Sequence, residues 1–376
     1  MTTIDVAPAA DLRPDEVALQ DAGGTLRGTM RSWAPVKISK ERIDAEIDRL
    51  AACPTPPGGR RVSLLVHPES TGPGPGLAPG IQVAIEVLTP GERTTPVRQN
   101  AGTVQIGIRG RGVVAVAGTE HVLEVFDVAS VPAMKPHEFR NTGDDLWVRL
   151  SYSNAPLLAK LGVHYVEELT SSAPVARPDD EAGAGSGRGT APDLPIGTEG
   201  ARLRGYEHIV DSEVVQNAPL HWPWAEVSQH LTSEVGDGKR PILAYYNPAT
   251  ERRCGATHNF FVTAMVVPPG KPSANVERGH RHTSVAINYH VRGTGHSVVD
   301  GRRIDWKAGD LLLSAPGWAE HTHHWGPDGL AAFTVQDHPQ QIGMESLVWQ
   351  EEIDGPVLAL GSEAGQTGYI GPREAG

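Results

Sequence analysis

Three histidines in this sequence could act together: His280 and His282 in the stretch GHRHTSVAINYHVRGTG, and His321 in APGWAEHTHHW. Side chains alternate across an extended strand, so His280 and His282 share a face while Arg281 points away. Neutral imidazoles suit a divalent first-row transition metal. Two ligands hold such an ion weakly, so a third must come from another strand. His321 is the preferred third ligand and His323 the alternative; His324, beside Trp325, reads as a rim or packing residue. A His-x-His pair also occurs in surface loops that bind nothing. Here it enters a strand, precedes Gly293-Thr294-Gly295, and is followed by Gly309-Asp310, Pro316 and His321, a frame that favours a metal site.

The elements that must position these residues are short strands. VSLLVHP, IQVAIEVL, TVQIGIRG, GVVAVAG and LWVRLSY come first, and ILAYYN, FFVTAMVV, SVAINYHV, GHSVVD, DLLLSA and LAAFTVQ follow later, separated by turn residues. The two groups share a frame. Pro90-Gly91, Val97-Arg98-Gln99, Gly110-Arg111-Gly112, Asp127 to Pro132 and His137 match Pro269-Gly270, His280-Arg281-His282, Gly293-Thr294-Gly295, Gly309-Asp310 to Pro316 and His321. The interval is 13 residues from Val97 to Gly110 and again from His280 to Gly293. This predicts a duplicated antiparallel barrel. Before the strands, Ser39 can cap a helix with Ile43, Ile47 and Leu50 on one face, ended by Pro54, Pro56 and Pro57.

At this point the chain resembles a family, the bicupins of the gentisate 1,2-dioxygenase-like group, which includes salicylate and 1-hydroxy-2-naphthoate dioxygenases. The resemblance is carried by His280-Arg281-His282-Thr283, Gly309-Asp310, His321 and the segment YYNPAT, Tyr245 to Thr250, and spans roughly residues 80 to 350. It implies an all-β bicupin: two double-stranded β-helix (jelly-roll) barrels with short helices. The expected domains are an N-terminal arm and helix (1–60), a first cupin barrel lacking a complete metal site (61–170), a linker (171–215), a metal-binding cupin barrel (216–360) and a tail (361–376). Many cupins add a glutamate after the His pair; here Asn288 is nearest, and no carboxylate lies between His282 and Gly295. That absence matches the ring-cleaving group, which holds Fe(II) with three histidines and leaves positions for substrate and dioxygen. The group commonly carries its iron in the first barrel. In this chain Val97 and Gln99 stand at those histidine positions, Gln105 matches Asn288, and His137 alone remains. The chemistry is therefore expected in the second barrel.

Around the metal, alternation from His282 turns Ser284, Ala286, Asn288 and His290 inward if no bulge intervenes. Asn288 could bond to a substrate oxygen. His290 could act as acid, base or oxyanion partner, or simply donate to a wall carbonyl. His258 could close the pocket mouth, and Trp318 could flank a planar ring. An aromatic acid would need a cationic or donor group, and Arg252, Arg253, Arg278 and Arg281 are the local choices, although Arg281 should face away. Trp222 and Trp224 read as junction packing, His296 as structural or exposed, and Cys254 has no neighbouring base to make it a nucleophile.

Bulk properties exclude more than they assign. The chain has 376 residues, enough for two domains, and a formal net charge of -12 that argues against a nucleic-acid surface. No window approaches the roughly 18 apolar residues of a membrane span. Two cysteines and a polar, acidic start fit a cytoplasmic protein. The expected activity is Fe(II)-dependent ring cleavage of a hydroxylated or amino-substituted aromatic acid by dioxygen, in a homo-oligomer (dimer or tetramer). The alternatives are another metal-cupin enzyme (diketone-cleaving dioxygenase, isomerase, lyase or hydrolase) and a non-catalytic small-molecule-binding bicupin.

Overall fold

In the computed structural model the described residues are 28, 30–174, 194–196, 198–204, 217–231, 242–271, 273 and 278–366, with Arg252 described in its backbone alone. Most of the expected linker and of the expected tail lies outside them. The chain divides into a short unit, Met1–Arg31, and a second unit, Ser32–Gly376. The strands and helices belong to the second unit.

Strand β1 (Lys37–Ile38) leads into α1 (Lys40–Ala52). The helix starts where expected: the Ser39 hydroxyl accepts the amide of Arg42 at 3.4 Å. Ile43, Ile47 and Leu50 recur on one face and are buried. Pro54 forbids a further turn.

The first barrel follows, from β2 (Arg61–Leu65), β3 (Gln82–Leu88), β4 (Val97–Gln99), β5 (Thr103–Arg109), β6 (Gly112–Val116) and β7 (Thr119–Leu123). It closes with β8 (Val128–Val131), β9 (His137–Arg140), β10 (Trp147–Ser153), α2 (Ala155–Lys160) and β11 (Val166–Glu168). A hairpin of β12 (Leu194–Ile196) and β13 (Ala201–Leu203) comes next, then β14 (His221–Trp222) and α3 (Trp224–His230). The second barrel contains β15 (Ile242–Ala244), β16 (Phe261–Val267), β17 (Arg281–His282), β18 (Val285–Val299), β19 (Arg302–Lys307), β20 (Leu311–Pro316) and β21 (His321–Gln336). It ends with α4 (His338–Gly343), β22 (Val348–Gln350) and β23 (Leu358–Ala359). Two sheets, ordered β14-β8-β5-β10-β3-β2 and β11-β4-β9-β6-β7, make the first barrel. The second uses β1-β20-β18-β21-β16-β15, with β19 on β18, and β17-β22-β23. The chain is the all-β bicupin that the sequence leads one to expect.

Alternation divides each strand between two cores. Val83, Ile85 and Val87 of β3, with Val148, Leu150 and Tyr152 of β10, share one apolar cluster with Val262, Ile287, Phe333 and Val335 of the second barrel. The barrels therefore pack face to face. The opposite faces form separate interiors: Leu88, Val114, Val116, Phe139 and Trp147 in the first, and Val267, Trp306, Leu312, Leu330 and Ala332 in the second.

Among the described residues, two segments cross between barrels. β1 pairs with β20, Ile38 opposite Leu311. β14 lies in the stretch expected with the second barrel, yet it pairs with β8 of the first, Trp222 opposite Val128. The Asp127 carboxylate holds that segment, accepting from the Trp224 amide at 2.6 Å and from His221 Nε2 at 2.9 Å. Trp222 and Trp224 then pack on Tyr245 and Phe333, with ring centroids 5.8 and 5.4 Å apart.

The duplication extends to irregularities. Gln105 pairs with Ser151 and Gly107 with Arg149, after which the register slips to Arg109–Val148. In the second barrel Asn288 pairs with Thr334 and His290 with Ala332, and the register slips to Arg292–Ala331. Each slip is a bulge that bends the strand before a glycine, Gly110 at φ +68° and Gly293 at φ +90°. A Cβ there would lie 2.2 Å from the carbonyl oxygen of Leu146 or of Gly329, so both the backbone angle and the space demand glycine.

Candidate metal centre

His280 and His282 enter the second barrel on and beside β17, and His321 opens β21 opposite His280. One ring nitrogen from each of the three lies within 4.8 Å of the others. The rings are fixed from behind. His282 Nδ1 donates to the Ser284 carbonyl at 2.8 Å, with the Ser284 hydroxyl at 3.0 Å, and His321 Nδ1 donates to the Ala319 carbonyl at 3.0 Å. A carbonyl can only accept, so the proton sits on Nδ1 and the Nε2 lone pair is left for an ion. This donor set fits a transition metal, because outer partners that fix the tautomer are what such a site needs. Burial, and for His282 also the neighbouring His321 and His280, holds both groups below the usual histidine range, which keeps them neutral.

Trp349, which the sequence analysis did not single out, completes the wall. Its ring stacks on His280 and on His282, each at 4.8 Å, with interplanar angles of 13° and 29°. β22 brings it there by pairing Trp349 with His282, and Nε1 donates to Glu351 Oε2 at 2.8 Å. His323 stands one step along β21, its ring 5.6 Å from His321 and its Nδ1 2.9 Å from the Ser297 hydroxyl. It is outside the close group. His324 stacks instead on His296 at 4.7 Å.

The remaining candidates fall in different places. Asn288 and His290 lie on the inner face of β18, opposite Thr334 and Ala332. The Ser314 hydroxyl donates to Asn288 Oδ1 at 2.5 Å, which leaves the amide NH₂ as the free donor of that side chain. His290 packs flat on Trp306 at 4.0 Å, with Nδ1 3.3 Å from the Asp310 carbonyl, and burial lowers it to about 4. Trp318 lies beneath Arg281, whose guanidinium carbon is 4.7 Å from the ring centre. Since Arg281 leaves its strand opposite the two histidines, Trp318 meets the back of β17. His258 sits in the turn before β16, beyond the close group.

The Gly309-Asp310 motif has a mechanical role. Asp310 is fully buried and accepts the amides of Lys40 at 2.8 Å and Lys307 at 3.1 Å, with Lys37 Nζ at 3.4 Å. It anchors the start of α1 to the second barrel.

In the first barrel Val97 pairs with His137. His137 is buried and its Nδ1 donates to the Lys135 carbonyl at 3.0 Å, the same posture as His321. No histidine faces it from β4. Behind it Arg149 is buried, 2.7 Å from Glu86, its guanidinium 3.7 Å from the Phe139 ring and 4.3 Å from that of Trp147.

A cupin-domain family model matches residues 84–151, the barrel without the triad. Among curated proteins the chain is 25% identical over 340 residues to 1-hydroxy-2-naphthoate 1,2-dioxygenase of Nocardioides sp. (strain KP7), covering 87% of this chain and 81% of that one. It is 25% identical over 270 residues to 5-aminosalicylate 1,2-dioxygenase of Comamonas sp., covering 69% and 66%. It is 24% identical over 335 residues to gentisate 1,2-dioxygenase of Haloferax sp., covering 85% and 87%. In structure it is similar to salicylate 1,2-dioxygenase from Pseudaminobacter salicylatoxidans, with a TM-score of 0.67, 15% identity and coverage of 87% and 91%. That likeness establishes the fold.

Proposed function

We propose that this bicupin, which resembles the gentisate 1,2-dioxygenase-like group, is an Fe(II)-dependent dioxygenase that cleaves the ring of a hydroxylated or amino-substituted aromatic acid. The observation that carries the reading is the close group of His280, His282 and His321. Relatives named for hydroxylated and amino-substituted aromatic acids, similar along most of the chain, support the substrate class.

His280, His282 and His321 would hold the iron through Nε2. Bound there, iron supplies the redox chemistry that lets dioxygen attack an aromatic ring. The protein contributes position and environment. Three neutral ligands add no negative charge, so an anionic substrate is drawn to the ion. Trp349 and the carbonyls of Ser284 and Ala319 keep the ligand rings from turning. Asn288, held by Ser314, offers its NH₂ to a substrate oxygen. His290, His258 and Trp318 are the other proposed contributors, His290 as inner wall and the other two from further out.

The reading includes a cytoplasmic homo-oligomer, dimer or tetramer. β2, an edge strand with Val62 and Leu64 exposed and Val66 exposed just beyond it, supports assembly, and sedimentation tests it. The decisive experiment measures oxygen uptake on a panel of aromatic acids, with iron determined on the same sample. The iron form should consume oxygen and the zinc form should be inactive. Equal activity with zinc, or full activity without oxygen, overturns the reading.

A further inference from the structure

Two of the three clustered histidines depend on a very short strand. β17 has two residues, and among the described residues its one strand partner is β22, with Arg281 opposite Gln350 and His282 opposite Trp349. Side chains reinforce that pairing. The Thr283 hydroxyl donates to the Ser346 carbonyl at 2.7 Å and accepts from the Val348 amide at 3.0 Å. Arg281 Nε donates to Gln350 Oε1 at 2.8 Å. The C-terminal segment that makes these contacts is anchored by a small apolar cluster of its own, Leu347, Trp349 and Leu360 with Ile342 and Leu358, separate from the barrel cores. A segment held by so small a cluster opens more readily than the barrel it lies on.

The first barrel has the same strand pair without the histidines. β11 lies on β4 with Val166 opposite Gln99 and Glu167 opposite Arg98. Gln99 matches His282, so Val166 stands where the second barrel has Trp349. The Arg98–Glu167 ion pair, at 2.6 Å, stands where Arg281 meets Gln350. The backbone pairing and the arginine contact are therefore repeated. The residue opposite the second histidine position is not. Val166 is 52% exposed, whereas Trp349 is 4% exposed and stacks on His280 and His282. The barrel requires a strand here, and the tryptophan answers to the histidines.

We propose that residues 346–360 are a clasp whose docking sets how tightly the metal is held, with Trp349 as the positioning residue. This rests on the metal placed at His280, His282 and His321. With the clasp docked, Trp349 backs two ligand rings and β22 fixes their strand, so the ligands meet the ion already ordered. With it undocked, β17 loses its strand partner, and ordering two ligands is charged against metal binding. The coupling is reciprocal: whatever factor docking adds to metal affinity, the metal adds to docking.

The test uses the full chain and zinc alone. Zinc affinity is read by competition with a chromophoric chelator, and docking by amide hydrogen exchange. Zinc should slow exchange across residues 346–360 by at least about tenfold and leave β3 and β5 of the first barrel unchanged. Trp349→Ala should weaken zinc about 10–100-fold, and Trp349→Phe, which keeps a ring to stack, should stay within about threefold of the parent. Thr283→Val deletes both hydroxyl bonds to the clasp and alters no ligand; it should weaken zinc and reduce the protection that zinc gives. If Trp349→Ala does not fold, the parent's exchange and Thr283→Val decide. Zinc bound with unchanged exchange over residues 346–360, or with parental affinity in Trp349→Ala and Thr283→Val, overturns the proposal and leaves the metal site standing. A loss in Trp349→Phe as large as in Trp349→Ala overturns the stacking role. Failure of the parent to bind zinc, or unaltered binding in His280→Ala, removes the metal-site reading and the proposal with it.

Discussion

At matched positions the first barrel carries Val97, Gln99, Glu86 and Arg149, and the second carries His280, His282, Met265 and Ala332. The strands, the bulges and the two turn glycines are the same, so neither the ion nor the substrate is needed to specify the barrel. What differs is how the interior is filled. The first barrel places a guanidinium, its carboxylate and two aromatic rings where a ligand would go. The second has Asn288, Thr334, Ala332 and Met265 at the corresponding positions, and it holds three clustered imidazoles. His137 marks the descent of one from the other, since it holds the ligand posture of His321 with nothing to share an ion.

The contrast breaks outright if the metal count is wrong. One metal per chain is expected by elemental analysis, and His280→Ala or His321→Ala should bring it to background. Two ions per chain would mean that the first barrel is not blank. Loss of the metal in His323→Ala but not in His321→Ala would exchange the third ligand.

The next largest effect should come from the ion pair. Glu86→Met leaves Arg149 buried without its counter-charge and should cost about 3–5 kcal/mol in chemical denaturation. Replacing Glu86 and Arg149 together with methionine removes both charges and should return stability to within about 2 kcal/mol of the parent. If the double variant is as unstable as the single, the pair is not a filler for an emptied site.

Acid sharpens the comparison differently. Burial lowers His137 to about 4, while the unfolded chain titrates near 6.5. Between these values the unfolded state binds the extra proton, so stability is full above the upper value and falls as pH drops toward the lower. The loss for one such group is at most about 3 kcal/mol. His137→Gln should flatten the acid limb of a stability profile by that share, and an unchanged slope would show that the ring is already accessible to protons.

The smallest change concerns Asn288. Asn288→Ala, with metal retained, should lower kcat/KM by the value of one substrate hydrogen bond, about 0.5–1.5 kcal/mol. Gln105→Ala, the matched change in the first barrel, should leave kinetics unaltered. A fall in both would link the barrels functionally.

Much of this was legible in the sequence because the signals are local. A Ser cap followed by Ile43, Ile47 and Leu50 writes a helix in consecutive turns. A single spacer places His280 beside His282, and a repeated interval reveals the second barrel. The parts that escaped depend on distant partners. Glu86 and Arg149 are separated by 63 residues and look like interruptions in apolar strands until the register sets them side by side. Trp349 belongs to no motif, and only the pairing of β22 with β17 brings it against His280 and His282. Trp318 adds a contact that sequence spacing does not reveal, with the Arg281 guanidinium carbon 4.7 Å from its ring centre. His290 shares the inward face, yet its ring is already committed to Trp306.

The crossing segments set an order of events during synthesis. β1 leaves the ribosome before either barrel, but its partner β20 is made only after the whole first barrel and most of the second. The nascent first barrel must likewise wait for β14 to cover its β8 edge. Both pairings have long sequence separations, which slow folding and lengthen the time that bare strand edges are exposed. A ribosome stalled between the barrels would therefore carry a first barrel with an open edge and an unpaired arm. Cutting the gene at that boundary should yield two aggregation-prone halves, whereas expressing the halves together gives each the strand it lacks.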